Sequence, residues 1–213
     1  MGFYSRAVFP RLMNCALSGE KVDRLREEAL RQARGDVLEV GFGTGLNLPH
    51  YPGNVTRIIG VEPNPGMDRI AAQPLALARD RMEVEVRHAH AEALPFDAER
   101  FDTVVSTMTL CSVDDIHQSL VEMRRVLKLA GRLLILEHGL APDSSVQKWQ
   151  HRLTGLWRVM ACGCRLDRDI AAAIRSAGFE FDSLRNFYLE GEPRFASFMS
   201  LASALPLPTA RAA

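Results

Sequence analysis

Residues 37–45 read Val37-Leu38-Glu39-Val40-Gly41-Phe42-Gly43-Thr44-Gly45, a short apolar run that opens directly into three alternate glycines. A buried strand ending in a glycine-rich turn lets a ligand approach the backbone closely, at the carboxyl edge of the first strand of an open α/β sheet. The spacing of the glycines separates two cofactor classes. A dinucleotide site needs G-x-G-x-x-G, whose third glycine lets the helix pack on the strand beneath a pyrophosphate. Here the pattern is G-x-G-x-G, and the position that would complete the dinucleotide fingerprint is Leu46. Glu39, two residues before the first glycine, is awkward beside a pyrophosphate and suits an amino-acid ammonium. Glu62 ends the next strand-like run, 21 residues after Gly41, where a carboxylate accepts hydrogen bonds from both hydroxyls of a ribose. Glu62 alone fits an NAD-dependent oxidoreductase equally well; Glu39, G-x-G-x-G and Glu62 together do not. The plain alternatives are a solvated strand-end acid and an ordinary tight turn.

Working outward from this turn, strand and helix patterns alternate. VLEV (37–40), RIIGVE (57–62), MEVEVRH (82–88), FDTVVSTM (101–108) and RLLILEH (132–138) read as strands. The third alternates as a half-exposed strand does, and the last two are nearly all apolar, as expected of strands covered on both faces. Residues 67–81 have helical character that Pro74 must kink or interrupt. Asp114 and Asp115 can cap a helix to about Lys128 that buries Ile116, Leu120, Met123 and Leu127. This alternation over 36–138 indicates a parallel sheet with helices on both faces. Upstream, residues 2–17 carry only Arg6 and Arg11 as charges and place Phe9, Leu12, Met13, Ala16 and Leu17 at helical spacing. A second helix over 20–34 has Val22, Leu25, Ala29 and Leu30 on one stripe and ends at Gly35. Downstream, Val146, Trp149, Leu153, Leu156, Trp157 and Met160 form an apolar stripe read as packing. Asp167 caps a further helix up to Ala177, and segments 179–191 and 194–204 form a closing antiparallel strand pair. The expected organisation is a helical lid or flank over 1–35, one ligand-binding domain over 36–205 and a loose tail over 206–213.

Composition narrows the function. With 26 Lys plus Arg against 26 Asp plus Glu, the chain has no excess positive charge to displace counterions from nucleic acid, and it is too apolar for a disordered chain. No stretch reaches the ~20 apolar residues of a membrane span, and no secretory signal pattern opens the chain, so a cytoplasmic protein is expected. Cysteines at 15, 111, 162 and 164 are too few and scattered for a disulfide scaffold. The C-x-C pair Cys162 and Cys164 has no second Cys/His pair at ligand spacing, so no metal site is expected, and a reducing compartment fits.

At this point VLEVGFGTG resembles the first motif of the class I S-adenosylmethionine-dependent methyltransferases, and GVEPNPGM (60–67) resembles their second-strand motif with its ribose acid. HAEALPF (90–96) and FDTVVS (101–106) resemble the third and fourth motifs of the quinone-methylating group. LKLAGRLLILEH (127–138) resembles the fifth-strand segment, with Leu129-Ala130-Gly131 where a Pro-Gly-Gly turn is usual. TMTLCSV (107–113), EHGLAP (137–142) and CRLDRD (164–169) are similar to methyltransferase-like proteins whose animal members include membrane-associated alkyl-thiol S-methyltransferases.

The resemblance implies a Rossmann-like α/β fold: a mostly parallel seven-stranded sheet, helices on both faces and a C-terminal antiparallel strand pair. It implies S-adenosylmethionine as cofactor and assigns roles. Gly41, Gly43 and Gly45 meet the methionine end, with Glu39 as its electrostatic partner and Asn47 just beyond. Glu62 holds the ribose, Pro63 and Met67 flank the adenine, and Ala91 and Glu92 edge it. His90 stands where relatives place an Asp, and accepts from the adenine amino group only when neutral. Thr107 lies beside the donor carboxylate or sulfonium.

Methyl transfer from a sulfonium is an in-line displacement, served mainly by alignment and exclusion of water. A base matters when the acceptor arrives protonated, and a thiol already supplies a few per cent thiolate at neutral pH. His138, after the fifth strand, is the first candidate base, against the reading of a strand-end histidine satisfied by backbone. Asp114 is the second, against its reading as a helix cap. Cys111 reads as a pocket-wall residue, and His88, His117 and His151 as surface groups. The expected function is methylation of a small, rather apolar acceptor, a thiol favoured over a phospholipid amine or a quinone. Readings from other classes are an NAD-dependent oxidoreductase and a non-catalytic ligand-binding module. Expected partners are a small-molecule acceptor and no nucleic acid. Residues 2–17 serve as lid or flank, or rest weakly on a membrane surface.

Overall fold

The computed structural model describes residues 2–208; of the expected loose tail, residues 209–213 lie outside the described residues. Seven strands form one sheet in the order β3-β2-β1-β4-β5-β7-β6. They are β1 (Gly35–Val40), β2 (Val55–Val61), β3 (Glu83–Arg87), β4 (Phe101–Thr107), β5 (Leu127–His138), β6 (Phe179–Tyr188) and β7 (Phe198–Pro206). The first five run parallel, and β7 is antiparallel to both neighbours. This is the expected class I methyltransferase architecture. Strand order reverses between β1 and β4, so a crevice opens at their carboxyl ends, where open α/β sheets bind ligands.

The two faces follow the two-residue period of the strands. Leu38 and Val40 of β1 and Leu133 and Ile135 of β5 pack with Leu120, Met123 and Val126 of helix α4 (Ile116–Val126) and Ile170 and Ile174 of helix α6 (Ile170–Ser176). On the other face Val37, Ile58 and Leu134 pack with Leu30 of helix α2 (Glu20–Leu30) and Ala71 and Ala78 of helix α3 (Asp68–Ala78). Glu39 lies on this second face by the same alternation. The remaining helices are α1 (Phe9–Leu17), preceded by a π-helical stretch Tyr4–Val8, then α5 (Ser144–Met160) and the single turn α7 (Arg194–Ser197).

Several local expectations are corrected. Helix α3 runs through Pro74, because the missing N–H removes one hydrogen bond that packing of Ala71 and Ala78 outweighs. Asp115 caps α4 as expected, its side chain accepting from the Gln118 N–H, but Asp169, not Asp167, caps α6 through the Ala172 N–H. β5 begins at Leu127, not 132, with an irregularity between its pairings to Phe101 and Thr103. α2 ends at Leu30, and Gly35 instead opens β1 at φ +64°, where a side chain would strike Asp102. The apolar stripe of α5 is core only in part: Val146 is buried and Trp157 packs edge-on against Phe195, while Trp149, Leu156 and Met160 are more than half exposed. Only the first turns of α5 reach the sheet end, where Gln150 donates to the Gly139 and Phe195 carbonyls and accepts from the Ala141 N–H. In α1 only Pro10 is buried. Among the described residues, no helix is long and apolar enough to cross a membrane.

Candidate active site

The turn after β1 is built by backbone bonds that only positive φ permits. The N–H groups of Gly41 and Phe42 both donate to the Val61 carbonyl, at 2.9 and 3.0 Å. Gly41, Gly43 and Gly45 have φ of +79°, +55° and +80°, a region that costs any other residue type. A Cβ at Gly41 would lie 1.9 Å from Thr109 Oγ1, so the loop after β4 sits directly against the turn. At Gly43 a Cβ would meet nothing nearer than the Gly41 carbonyl at 4.0 Å, so this backbone faces open space.

Glu62 joins the glycine turn to the loop after β2. Its Oε2 accepts from the Gly43 N–H at 3.0 Å and its Oε1 from the Asn64 N–H at 2.9 Å. Burial raises its pKa, opposed by those two hydrogen bonds. His88 adds a third tie, with Nδ1 3.0 Å from the Glu62 carbonyl and Nε2 3.2 Å from Asp68. It remains an exposed group, as expected, but one that props the loop carrying Glu62.

Glu39 is 1% exposed, deeper than a ligand-facing acid. Asn47 Nδ2 donates to its Oε1 and the Tyr51 hydroxyl to its Oε2, both at 2.8 Å, and the Asn47 amide also reaches Thr107 Oγ1 at 2.8 Å. Glu39 therefore orients Asn47 and, through it, Thr107 at the end of β4. Asn47 Oδ1 is left buried without a partner. Beneath lies Arg26, 3% exposed on α2, a buried charge absent from the expected stripe; burial lowers its pKa, and Asp23 and then Glu39 hold it up. Burial pushes the Glu39 carboxyl up to about 7, against its bonds from Tyr51 and Asn47. A carboxyl that binds its proton more tightly when folded loses stability as pH rises from the unfolded value of 4.5 to about 7, by about 3 kcal/mol. Glu39→Gln is expected to reduce the pH dependence by that amount, leaving the part due to Glu137, measured as the difference in urea midpoint between pH 5 and pH 8. Equal slopes in the two proteins would show that Glu39 is not the titrating group.

Of the residues expected at the adenine, Met67 and Ala91 are buried and Pro63 is half-buried. Glu92 Oε1 accepts from the Asp114 and Asp115 N–H groups at 2.9 and 3.2 Å. It thereby fixes the loop leading into α4, while Asp114 itself and His90 are exposed. The N-terminal segment crosses both the glycine turn and the loop after β2. Ser5 O accepts from Asn64 Nδ2 at 2.7 Å, Asn14 Oδ1 accepts from the Thr44 hydroxyl at 2.8 Å, and the Arg6 backbone fills the space a side chain at Gly66 would need.

The far end of the crevice holds groups that sequence reasoning passed over. Met108 takes φ +53°, which turns the chain so that the Thr109 and Leu110 N–H groups both donate to Glu137 Oε1, at 2.8 and 2.9 Å. The Ser106 hydroxyl donates to the same oxygen, leaving Oε2 buried without a partner; burial pushes this carboxyl up to about 8. An acid closing an otherwise apolar strand was the available signal for Glu137. Its neighbour His138 is not free: Nε2 lies 2.9 Å from Cys164 Sγ. Cys111, His138 and Cys164 bring their ligand atoms within 4.8 Å of one another. Each comes from one of the three segments 107–113, 137–142 and 164–169, so cysteines scattered in sequence converge in space. Tyr51 carried no sequence signal at all.

Comparison with known proteins adds the following. Residues 38–135 match the family described as "Methyltransferase domain". The chain is 31% identical over 186 residues to a thiol S-methyltransferase of Rattus norvegicus, covering 82% of this chain and 76% of that protein. It is 36% identical over 123 residues to a phosphatidylethanolamine N-methyltransferase of Cereibacter sphaeroides, covering 54% and 57%. Among solved structures, a putative methyltransferase of Bacillus halodurans superposes with a TM-score of 0.68 at 18% identity, over 89% of this chain and all of that one.

Proposed function

Since the chain belongs to the class I S-adenosylmethionine-dependent methyltransferases, we propose that it methylates the sulfur of a small, apolar thiol. The residues present fit the cofactor. The buried, unpartnered Asn47 Oδ1 is an acceptor for an ammonium, the open backbone of Gly43 admits close approach, and each Glu62 oxygen keeps a lone pair for a ribose hydroxyl. The cofactor supplies an electrophilic methyl on a sulfonium whose departing sulfur leaves as a neutral thioether. Glu39 acts one step back, holding Asn47 and Tyr51 in place and adding negative charge beneath a cationic ligand. Met67, Pro63 and Ala91 supply an apolar wall for the base. The N-terminal segment, tied to Asn64 and Thr44, covers the two loops and keeps water from them. The Cys111 wall and the loop fixed by Glu137 line the acceptor end.

The choice of a thiol rests on one observation: the likeness to a thiol S-methyltransferase extends over 186 residues, well past the family domain at 38–135. It therefore takes in acceptor-side segments, whereas the likeness to the phospholipid enzyme covers 54% of the chain. Adenosylhomocysteine at 100 times its Kd is expected to stabilise the protein by about 2.7 kcal/mol, seen as a raised melting temperature, with no shift from NAD. Transfer of labelled methyl is then compared across alkyl thiols, phosphatidylethanolamine and quinols. Methyl transfer to lipid with none to thiols would overturn the choice of acceptor.

A further inference from the structure

We propose that Cys111, His138 and Cys164 form a zinc site with one open coordination position, at which an acceptor thiol is held as its thiolate. Two sulfurs and an imidazole nitrogen are the donor set that selects zinc over harder divalent cations. A tetrahedral zinc with bonds of ~2.3 Å to sulfur and ~2.0 Å to nitrogen separates its ligand atoms by roughly 3.5–3.8 Å. The three atoms here lie within 4.8 Å of one another, with His138 Nε2 2.9 Å from Cys164 Sγ, so side-chain adjustment of well under an ångström or so per group, about one rotameric wobble, brings them into register. Three protein ligands and an open fourth position are the arrangement of reactive rather than structural zinc.

The surroundings are constructed to hold these side chains together. Cys111 is 2% and Cys164 8% exposed. The Arg165 N–H donates to the Cys111 carbonyl at 2.9 Å. Cys162 and Gly163 take φ of +45° and +108°, and a Cβ at Gly163 would lie 2.9 Å from the Ser112 carbonyl. The two cysteine loops are thus pressed backbone to backbone. Arg168, itself 9% exposed, donates through its guanidinium to the carbonyls of Leu110 and Val113, on either side of Cys111. Glu137 secures the same loop from the strand side. His138 arrives at the end of β5, so the ligands come from three elements, each fixed by backbone bonds. Such preorganisation favours a bound ion, since little of the site has to be ordered on binding.

The position is chemically apt for the thiol reading, on which the second half of the proposal rests. Two thiolates and a neutral imidazole cancel the charge of the ion. Exchange of a metal-bound water for a thiol, metal–OH2 + RSH giving (metal–SR)− + H3O+ with the proton released to solvent, would leave the sulfur deprotonated at neutral pH without a separate base. Once methylated, the sulfur would be a neutral thioether and a poor ligand, and water would displace it. Thr109, two residues from Cys111, abuts Gly41, so the segment that carries Cys111 borders the glycine turn.

The test uses the full-length chain, reduced, stripped with a chelator and titrated with cobalt(II). One equivalent is expected to give the visible bands of tetrahedral cobalt and sulfur-to-cobalt charge transfer, both abolished by zinc. Cys111→Ser and Cys164→Ser should lose them, and Cys162→Ser should keep them. The unmutated protein should also retain one equivalent of zinc through desalting, a readout that does not depend on any variant folding. Absent bands, bands that survive both ligand substitutions, or no zinc retained would overturn the site. Butanethiol is expected to add charge-transfer intensity. If it leaves the spectrum unchanged while being methylated, the open position is wrong and the thiol reading stands. If it changes the spectrum without being methylated, the metal site stands and the thiol reading fails.

Discussion

Gly41→Ala is expected to lower the melting temperature by about 10 °C and to abolish stabilisation by adenosylhomocysteine. Alanine at φ +79° costs about 1–3 kcal/mol of backbone strain. The larger cost is steric, because the new methyl would lie 1.9 Å from Thr109 Oγ1, 2.4 Å from its Cγ2 and 2.6 Å from its Cβ. A rotamer change moves the first two atoms and not the third, so the loop after β4 must move. Together the terms reach about 3–5 kcal/mol, and each kcal/mol is worth ~2–4 °C at this chain length. Gly43→Ala is the informative partner. Its methyl meets no atom closer than 4.0 Å, so it should fold with a loss near 1 kcal/mol and yet fail to bind, the methyl occupying the ligand's approach. Adding Thr109→Gly to Gly41→Ala removes all three overlaps and should recover part of the stability, a non-additivity that marks direct contact. Additive losses would mean the two loops are not in contact.

Glu137 carries the second large effect. Glu137→Ala removes the acceptor shared by the Ser106 hydroxyl and the Thr109 and Leu110 N–H groups. Each buried donor left without a partner costs about 1–3 kcal/mol, so a total near 4 kcal/mol and a fall of about 10 °C are expected. Glu137→Gln should cost less than half as much. The amide oxygen can take the place of Oε1, and the amide nitrogen falls where Oε2 already lacks a partner. Chemical denaturation of both variants separates the cases: equal losses would mean that volume, and not the three hydrogen bonds, is what Glu137 supplies.

The sheet was legible because its signals are local. A two-residue period, apolar runs and glycines mark strands and turns wherever they fall, and β1, β2, β4 and the final pair lie within a few residues of expectation. Errors gathered where tertiary packing decides. Pro74 does not interrupt its helix, and the exposed half of the α5 stripe reads as core because periodicity shows which residues share a face but not what that face meets. In the candidate site the turn and Glu62 were readable from spacing. Arg26, Tyr51 and Glu137 were not, since each is defined by a partner distant in the chain. The cysteines show the limit most plainly. Ligand spacing within a segment was the criterion, and Cys111, His138 and Cys164 meet only after β4, β5 and the α5–α6 connection have been brought to one edge.

The order β5-β7-β6 has a consequence for how the protein is made. During translation β1 to β6 leave the ribosome before β7, which must then enter between β5 and β6 and is buried over most of its length. Until residue 206 has emerged, β5 presents an unpaired apolar edge, the kind of surface on which nascent chains pair wrongly with one another. The cell therefore carries every copy through an interval in which nearly the whole sheet is synthesised and none of it is closed, and recruitment of chaperones to this chain should concentrate in that interval.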